Sequence, residues 1–546
     1  MSAAVTKTTA SATETVEQFD AIVIGAGFGG MYMLHRLRGL GLKVRVYEKG
    51  DGVGGTWYWN RYPGARCDVE SMEYSYSFSD DLQQDWNWPE RYGTQPEILR
   101  YAEHVADRFD LRRDIQFETH IVSAHFDPAE TLWSVTTDKG EVATAPFCVM
   151  AVGNLSTPRV PDFKGIEGFK GNWYHTGMWP HEGVDFTGRR VAVIGTGSSG
   201  IQMIPIIAGQ AEHLHVFQRT ANFCLPARNM PLDPEVERSH KAEYPERRRA
   251  AYDTPFGIAG YPPPVKSALE ATPEERERLY EDKWQEGGSI SFLYAYNDLL
   301  LNAEANDTAA EFVRAKIRSI VKDPVAAEVL SPNSHPMGTK RLCLDTNYYE
   351  TYNRDNVTLV DIRNATIEEI TETGLLADGR AYEFDDIVFA TGFDAMTGAM
   401  REMDIQAGQG ETLVEKWDAG PRTYLGIMVA GFPNMFMITG PQSPGVKSQM
   451  ILSIEQHADF IADCVAHMRE HGLSRVEPTS SAEVDWVDHV NQTADATLYP
   501  LANSWYMGAN IPGKPRIFMP YVGGVDRFKR KCDEVVARGY EGFEMT

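Results

Sequence analysis

The chain has 546 residues, 42% hydrophobic and 24% charged, which gives room and composition for two or three globular domains with full cores. Its formal net charge of −25 excludes a basic nucleic-acid face, and no apolar run approaches the length of a membrane span. The six cysteines include no Cys-x-x-Cys, which excludes a metal knuckle or redox disulfide of that spacing and predicts reduced thiols in a cytoplasmic protein.

Residues 1–18, rich in Ser, Thr and Ala, predict a disordered tail and not a signal peptide. An apolar strand, Ala21-Ile22-Val23-Ile24, then leads into the loop Gly25-Ala26-Gly27-Phe28-Gly29-Gly30, and the next strand ends at Glu48. Glycines in a strand–loop–helix unit let the backbone approach a pyrophosphate, whose charge rests at the helix N-terminus. An acidic residue about 20 positions on receives a ribose 2′-hydroxyl. Gly25, Gly27, Gly30 and Glu48 therefore predict an unphosphorylated dinucleotide, most simply FAD. The aromatic, Gly/Pro-punctuated stretch 54–68 predicts a functional loop. Alternation at 115–119 and 133–137 predicts an antiparallel sheet, and an apolar strand at 147–152 ends the first pass of this domain.

The same pattern returns at Val191-Ala192-Val193-Ile194 and Gly195-Thr196-Gly197-Ser198-Ser199-Gly200, but the following strand ends in Gln218-Arg219-Thr220. An arginine where the acid would stand suits a 2′-phosphate. Gly195, Thr196, Gly197, Ser198, Ser199, Gly200, Arg219 and Thr220 thus predict NADP(H), and the two cofactors together imply electron flow from nicotinamide to flavin. Charged helical patterning at about 231–329 predicts solvated helices inserted in this second domain. The apolar strand and glycine at 386–394 return the chain to the first domain.

The predicted fold is α/β, with two Rossmann-like dinucleotide-binding domains. A discontinuous FAD-binding domain takes 19–156 and 394–546; an NADP-binding domain takes 157–393, with a helical insertion at about 229–335. The crossings near 154–158 and 391–396 predict a hinge.

No cysteine pair is available to accept electrons from the flavin, which leaves O2 as acceptor. The segment Phe169-Lys170-Gly171-Asn172-Trp173-Tyr174-His175-Thr176-Gly177-Met178-Trp179-Pro180 resembles the F-x-G-x-x-x-H-x-x-x-W-P fingerprint of type I Baeyer–Villiger monooxygenases. Related amine and sulfide monooxygenases end that motif in Tyr-Lys, so Trp179-Pro180 is the discriminating pair. The likeness runs from about residue 19 onward and includes 54–68, Lys340-Arg341, 386–394 and 503–515.

The resemblance implies that NADPH reduces FAD, that O2 then gives a flavin peroxide, and that this attacks a ketone to yield an ester or lactone. It implies Arg341 as stabiliser of the anionic peroxide and intermediate, with Asp68 pairing it and touching cofactor. Lys340 is implied beside Arg219 and Thr220 at the 2′-phosphate, and Trp505 on a mobile loop that closes over NADP. Thr56, Trp57, Tyr74, Ile121 and Met450 are the further FAD contacts it implies. Phe169, Gly171, His175, Trp179 and Pro180 form an interdomain linker motif, in which His175 serves domain movement and not proton transfer. The loop 440–450, with Gly445 and Val446, shapes the substrate pocket; it looks more like the phenylacetone and steroid branch, although Gly445-Val446-Lys447 departs from the expected pattern. The implied partners are an aliphatic, cyclic or aryl ketone and O2, with no metal, in a monomer or small homo-oligomer. Two rivals stay open: an amine or sulfide oxygenase, and a non-catalytic flavin redox sensor.

Overall fold

The computed structural model describes residues 16–546. The expected tail lies outside the described residues up to 15, but its last part is not tail: Glu17–Gln18 pair in parallel with the strand Val142–Ala145. Two five-stranded parallel sheets organise the chain. The first runs in the order Met435–Met437, Phe147–Met150, Ala21–Ile24, Val44–Tyr47, Ile115–Gln116. The second runs Val357–Asp361, His213–Gln218, Arg190–Ile194, Asp386–Phe389, Asn172–His175. The fingerprint strands Ala21–Ile24 and Arg190–Ile194 stand in the middle of their sheets and are almost wholly buried, as strands covered on both faces must be. Strand order reverses beside each of them, and open α/β sheets bind ligands outside the carboxyl ends of strands at such a reversal.

An antiparallel sheet of Ile121–Asp127, Leu132–Thr137 and Val142–Ala145 backs the first domain. Ile115–Gln116 does not join it, contrary to the alternation at 115–119; Ile115 pairs in parallel with Val46 and is buried. Two residues are too short a run for alternation to distinguish the cases. The two passages between the domains lie side by side, with the Asp394 amide donating to the Thr157 carbonyl and the Arg159 amide to that of Gly392, each at 2.9 Å. Among the described residues no helix is long and apolar enough to cross a membrane.

The helical segment leaves and rejoins the second domain through a short parallel ribbon, Cys224–Pro226 against Cys343–Asp345. Helices Pro273–Glu286 and Ala303–Ile320 share the core of that domain through Tyr280, Trp284 and Phe312. Helices Pro234–Ala242 and Tyr244–Ala251 do not: they pack on the first domain, with Tyr244 in its core. The charge pattern therefore marked the helices but not the domain they cover.

The clamp for those two helices is Glu73, 2% exposed, which receives Arg247 Nη2 at 2.8 Å and lies 3.4 Å from His240 and 3.8 Å from Arg248. Burial alone would raise its carboxyl; His240, Arg248 and Arg247 outweigh that and hold it at about 2. A depressed carboxyl contributes stability above its unfolded value of 4.5 and loses it as pH falls through about 2. Glu73→Gln, which strands buried cations, is expected to cost roughly 3–5 kcal/mol in denaturant unfolding. The parent should also lose more stability than the variant between those two pH values.

Candidate functional site

The two fingerprint loops have the same construction. Gly25 and Gly195 open them at φ +101° and +109°, and a Cβ on either would lie 2.6 or 2.5 Å from the carbonyl of Ala151 or Ala390. Gly30 and Gly200 let each helix close on its strand, since a Cβ there would meet the Gly25 or Gly195 carbonyl at 1.8 or 2.3 Å. A Cβ on Gly197 would meet nothing within 4 Å, so the loop carrying Thr196, Ser198 and Ser199 presents open space in front of its backbone. Gly27 instead faces Gly55. Helices Phe28–Gly39 and Ser198–Gln210 begin at Gly27 and Gly197 with no side-chain cap, which leaves their first N–H groups for an anion.

Glu48 is held at the first loop by the amides of Ala26 at 2.7 Å and Gly50 at 2.8 Å. Burial raises its carboxyl, offset in part by these N–H bonds. A carboxylate offers about four acceptor positions, so capacity for ribose hydroxyls remains. At the second loop Arg219 is exposed, and Lys340, Arg219 and Thr220 border one cleft. Burial lowers the Lys340 ammonium, and the charge of Arg219 lowers it further. Two cations pushed together without a carboxylate between them fit a phosphate. Both halves thus fit a dinucleotide.

That cleft, of about 1420 Å³, runs between the domains. Thr56, Trp57, Asp68, Tyr74 and Met450 border it from the first domain; Gly195 to Ser199, Arg219, Thr220, Lys340 and Arg341 border it from the second. Tyr74 accepts from Trp57 Nε1 at 3.0 Å, which fixes both rings. Arg341 and Asp68, 273 residues apart, meet in its floor. Nε donates to Asp68 at 2.7 Å, Nη2 to its other oxygen at 2.5 Å, and Nη1 to the Val446 carbonyl at 2.7 Å. Burial works against the charged guanidinium, but Asp68 more than compensates and keeps Arg341 cationic. Of a guanidinium's five N–H groups, those three bonds leave two, with the Tyr506 hydroxyl beside them.

Trp505 and Val446 also border the cleft, whereas Gly25, Gly27, Gly30, Glu48, Ile121, Gly200 and Gly445 do not. Ile121 is buried where the antiparallel sheet meets Tyr47, and pairs with Thr137. The linker motif is not in the cleft. Phe169 and Trp179 are buried, Trp179 against Tyr174 and Phe186; Gly171 abuts the Asp385 carbonyl, and Pro180 borders a small pocket with Arg61. His175, 1% exposed, accepts from the Gly177 amide at 3.1 Å. Burial pushes its imidazole down to about 4, so it is neutral at pH 7 and faces Phe393 at the crossing.

Three features of the site escape sequence reasoning. Arg159 borders the cleft and donates to the Asn510 carbonyl. Lys447 Nζ lies over the rings of Tyr499 and Tyr506, at 4.2 and 4.5 Å, and burial followed by Arg341 pulls its ammonium well down. The loop bearing Trp505 is tied to the crossing by Asn510 Nδ2 donating to the Phe393 carbonyl at 2.8 Å and by Lys514 on Asp394. No local pattern signals any of these.

A family model described as flavin-binding monooxygenase-like matches residues 20–230. A Baeyer–Villiger monooxygenase of Pseudooceanicola batsensis is 46% identical over 532 residues, 97% of this chain and 96% of that protein. Oxidised steroid monooxygenase bound to NADP superposes with a TM-score of 0.92 at 52% identity, covering 97% of this chain and 99% of that one. A complex of OTEMO with FAD and NADP gives 0.94 at 41% identity, covering 97% and 100%.

Proposed function

The chain belongs to the Baeyer–Villiger monooxygenases, and we propose from that premise how its residues divide the work. It is an oxidoreductase that takes NADPH, a proton, O2 and a ketone to NADP+, water and an ester or lactone, with FAD as cofactor. When bound, FAD supplies the reaction with O2 and NADPH supplies the two electrons. The aliphatic, cyclic or aryl ketone remains our reading of the substrate class.

The observation that carries the site assignment is Arg341, cationic, clamped from two sides, with unused donors in the cleft. A fixed guanidinium stabilises negative charge that develops on the substrate's carbonyl oxygen, and it costs no reorganisation when that charge appears. Asp68 is assigned to hold its plane and to keep its charge in a partly buried place. Glu48 and the first loop hold FAD with Thr56, Trp57, Tyr74, Ile121 and Met450; the second loop with Arg219, Thr220 and Lys340 holds NADPH. Trp505 covers the cleft and excludes water, and Gly445 and Val446 bound the ketone site. His175, neutral and not bordering the cleft, is assigned to the linker's movement. We assign 19–156 and 394–546 to FAD and 157–393 to NADP, in a cytoplasmic enzyme whose six thiols are free.

The test is incubation of the FAD-loaded enzyme with NADPH, O2 and a ketone panel, followed by product analysis. Ester or lactone in step with NADPH consumption is expected. Heteroatom oxidation of amines or sulfides without any ester would turn the reading to the other branch, and hydrogen peroxide alone with every ketone would end it.

A further inference from the structure

The ribbon closing the helical segment places Cys224 directly opposite Cys343, in register on adjacent parallel strands. Side chains so paired emerge on one face, with backbones about 4.8 Å apart, inside the roughly 4.4–6.8 Å Cα window of a disulfide. They are the only cysteines opposed in a sheet register among the described residues. Both are buried, yet Cys343 Sγ is not in an apolar setting. It lies 3.2 Å from Ser198 Oγ and receives the Asn222 side-chain amide at 3.2 Å. Ser198 is the first residue of the second fingerprint helix, and Ser198, Asn222 and Arg341 all border the cleft. These groups stand between the cleft and Cys343.

Cys343 Sγ also donates to the Arg341 carbonyl at 3.5 Å; its place beside the first residue of a helix and the accepted Asn222 amide favour thiolate, the reactive form. Within the pair the Cys224 thiol, followed by Ser198, lowers Cys343 against its burial, whereas burial raises Cys224 as it raises Cys67, Cys148, Cys464 and Cys532. Cys67 also borders the cleft, but it stands beside the charge of Asp68 and no cysteine is paired with it.

We propose that Cys224 and Cys343 are an oxidisable dithiol, converted by hydrogen peroxide to a disulfide that withdraws Cys343 from Ser198 and weakens NADPH binding. The Cys343 thiolate attacks one peroxide oxygen and the O–O bond breaks, leaving a sulfenic acid and, after protonation, water. Cys224 then displaces that hydroxyl as a second water and the S–S bond forms. Two thiols lose two electrons and two protons, and one peroxide becomes two waters. The oxidant is the two-electron product of NADPH oxidation by O2 when no ketone is oxygenated, so the pair would shut down wasteful turnover. Only the effect on NADPH rests on assigning the loop 195–200 to that cofactor; the disulfide does not.

The FAD-loaded enzyme is titrated with hydrogen peroxide, quenched with an alkylating agent and digested without reductant. A linked Cys224–Cys343 peptide is expected, with loss of two of the six thiols. The KM for NADPH should rise roughly five-fold, the scale of one lost hydrogen bond, and dithiothreitol should restore it. Cys343→Ser should give no linked peptide and no peroxide-dependent change relative to its own untreated form. Cys224→Ser should lose one thiol, to an acid that dithiothreitol fails to recover on longer exposure. Six intact thiols, or linkage through any other cysteine, would overturn the proposal. A linked peptide with unchanged KM would overturn the coupling to the loop, while the NADP assignment is tested separately by Arg219→Ala.

Discussion

Arg341→Ala is expected to bleach its flavin with NADPH under anaerobic conditions nearly as the parent does, yet to form ester roughly 10²–10³-fold more slowly. The separation follows from where the side chain sits. The guanidinium is fixed by Asp68 and by the Val446 carbonyl, and neither contact lies on the 2′-phosphate or the pyrophosphate loops. What it offers is charge and two spare donors in the cleft, and these matter only when negative charge appears on oxygen. Arg341→Lys should rescue little, because an ammonium cannot reproduce the two parallel bonds to Asp68 and still point into the cleft. Stopped-flow absorbance gives the first half and product chromatography the second. Ester at the parent rate would remove Arg341 from the reaction.

Arg219→Ala should raise the KM for NADPH by roughly ten- to hundred-fold while moving that for NADH little. Arg219 is exposed, so salt screens it, and the parent's preference for NADPH should itself shrink as ionic strength rises. Lys340 and Thr220 remain in the variant and keep the loss toward the lower figure. Removing Arg219 also relieves the repulsion that lowers Lys340, so the variant should hold NADPH to a higher pH, relative to its own maximum, than the parent does. The ratio of the two cofactors' kcat/KM across pH and salt measures all three effects. Equal weakening toward NADPH and NADH would exclude a 2′-phosphate contact.

The two nucleotide loops were readable because their determinants are local: an apolar strand, glycines at fixed offsets and a charge one strand later. The arginine–carboxylate pair was not readable in that way. Asp68 and Arg341 are 273 residues apart and are joined only by the packing of one domain on the other, so resemblance alone pointed to them. The same holds for the opposed cysteines, whose strands are three residues each. Ile115 went to the wrong sheet because a two-residue edge strand carries no period. The helices at 234–251 were visible from their charges, but Glu73, which decides what they cover, sits in an unrelated loop. Burial of an ionic cluster leaves no periodic trace.

Asn510 and Lys514 reach from the Trp505 loop to Phe393 and Asp394, in the crossing that the sequence predicts as a hinge. If that hinge turns, these two ties couple the Trp505 loop to it, so Asn510→Ala is expected to raise hydrogen peroxide release without speeding product release.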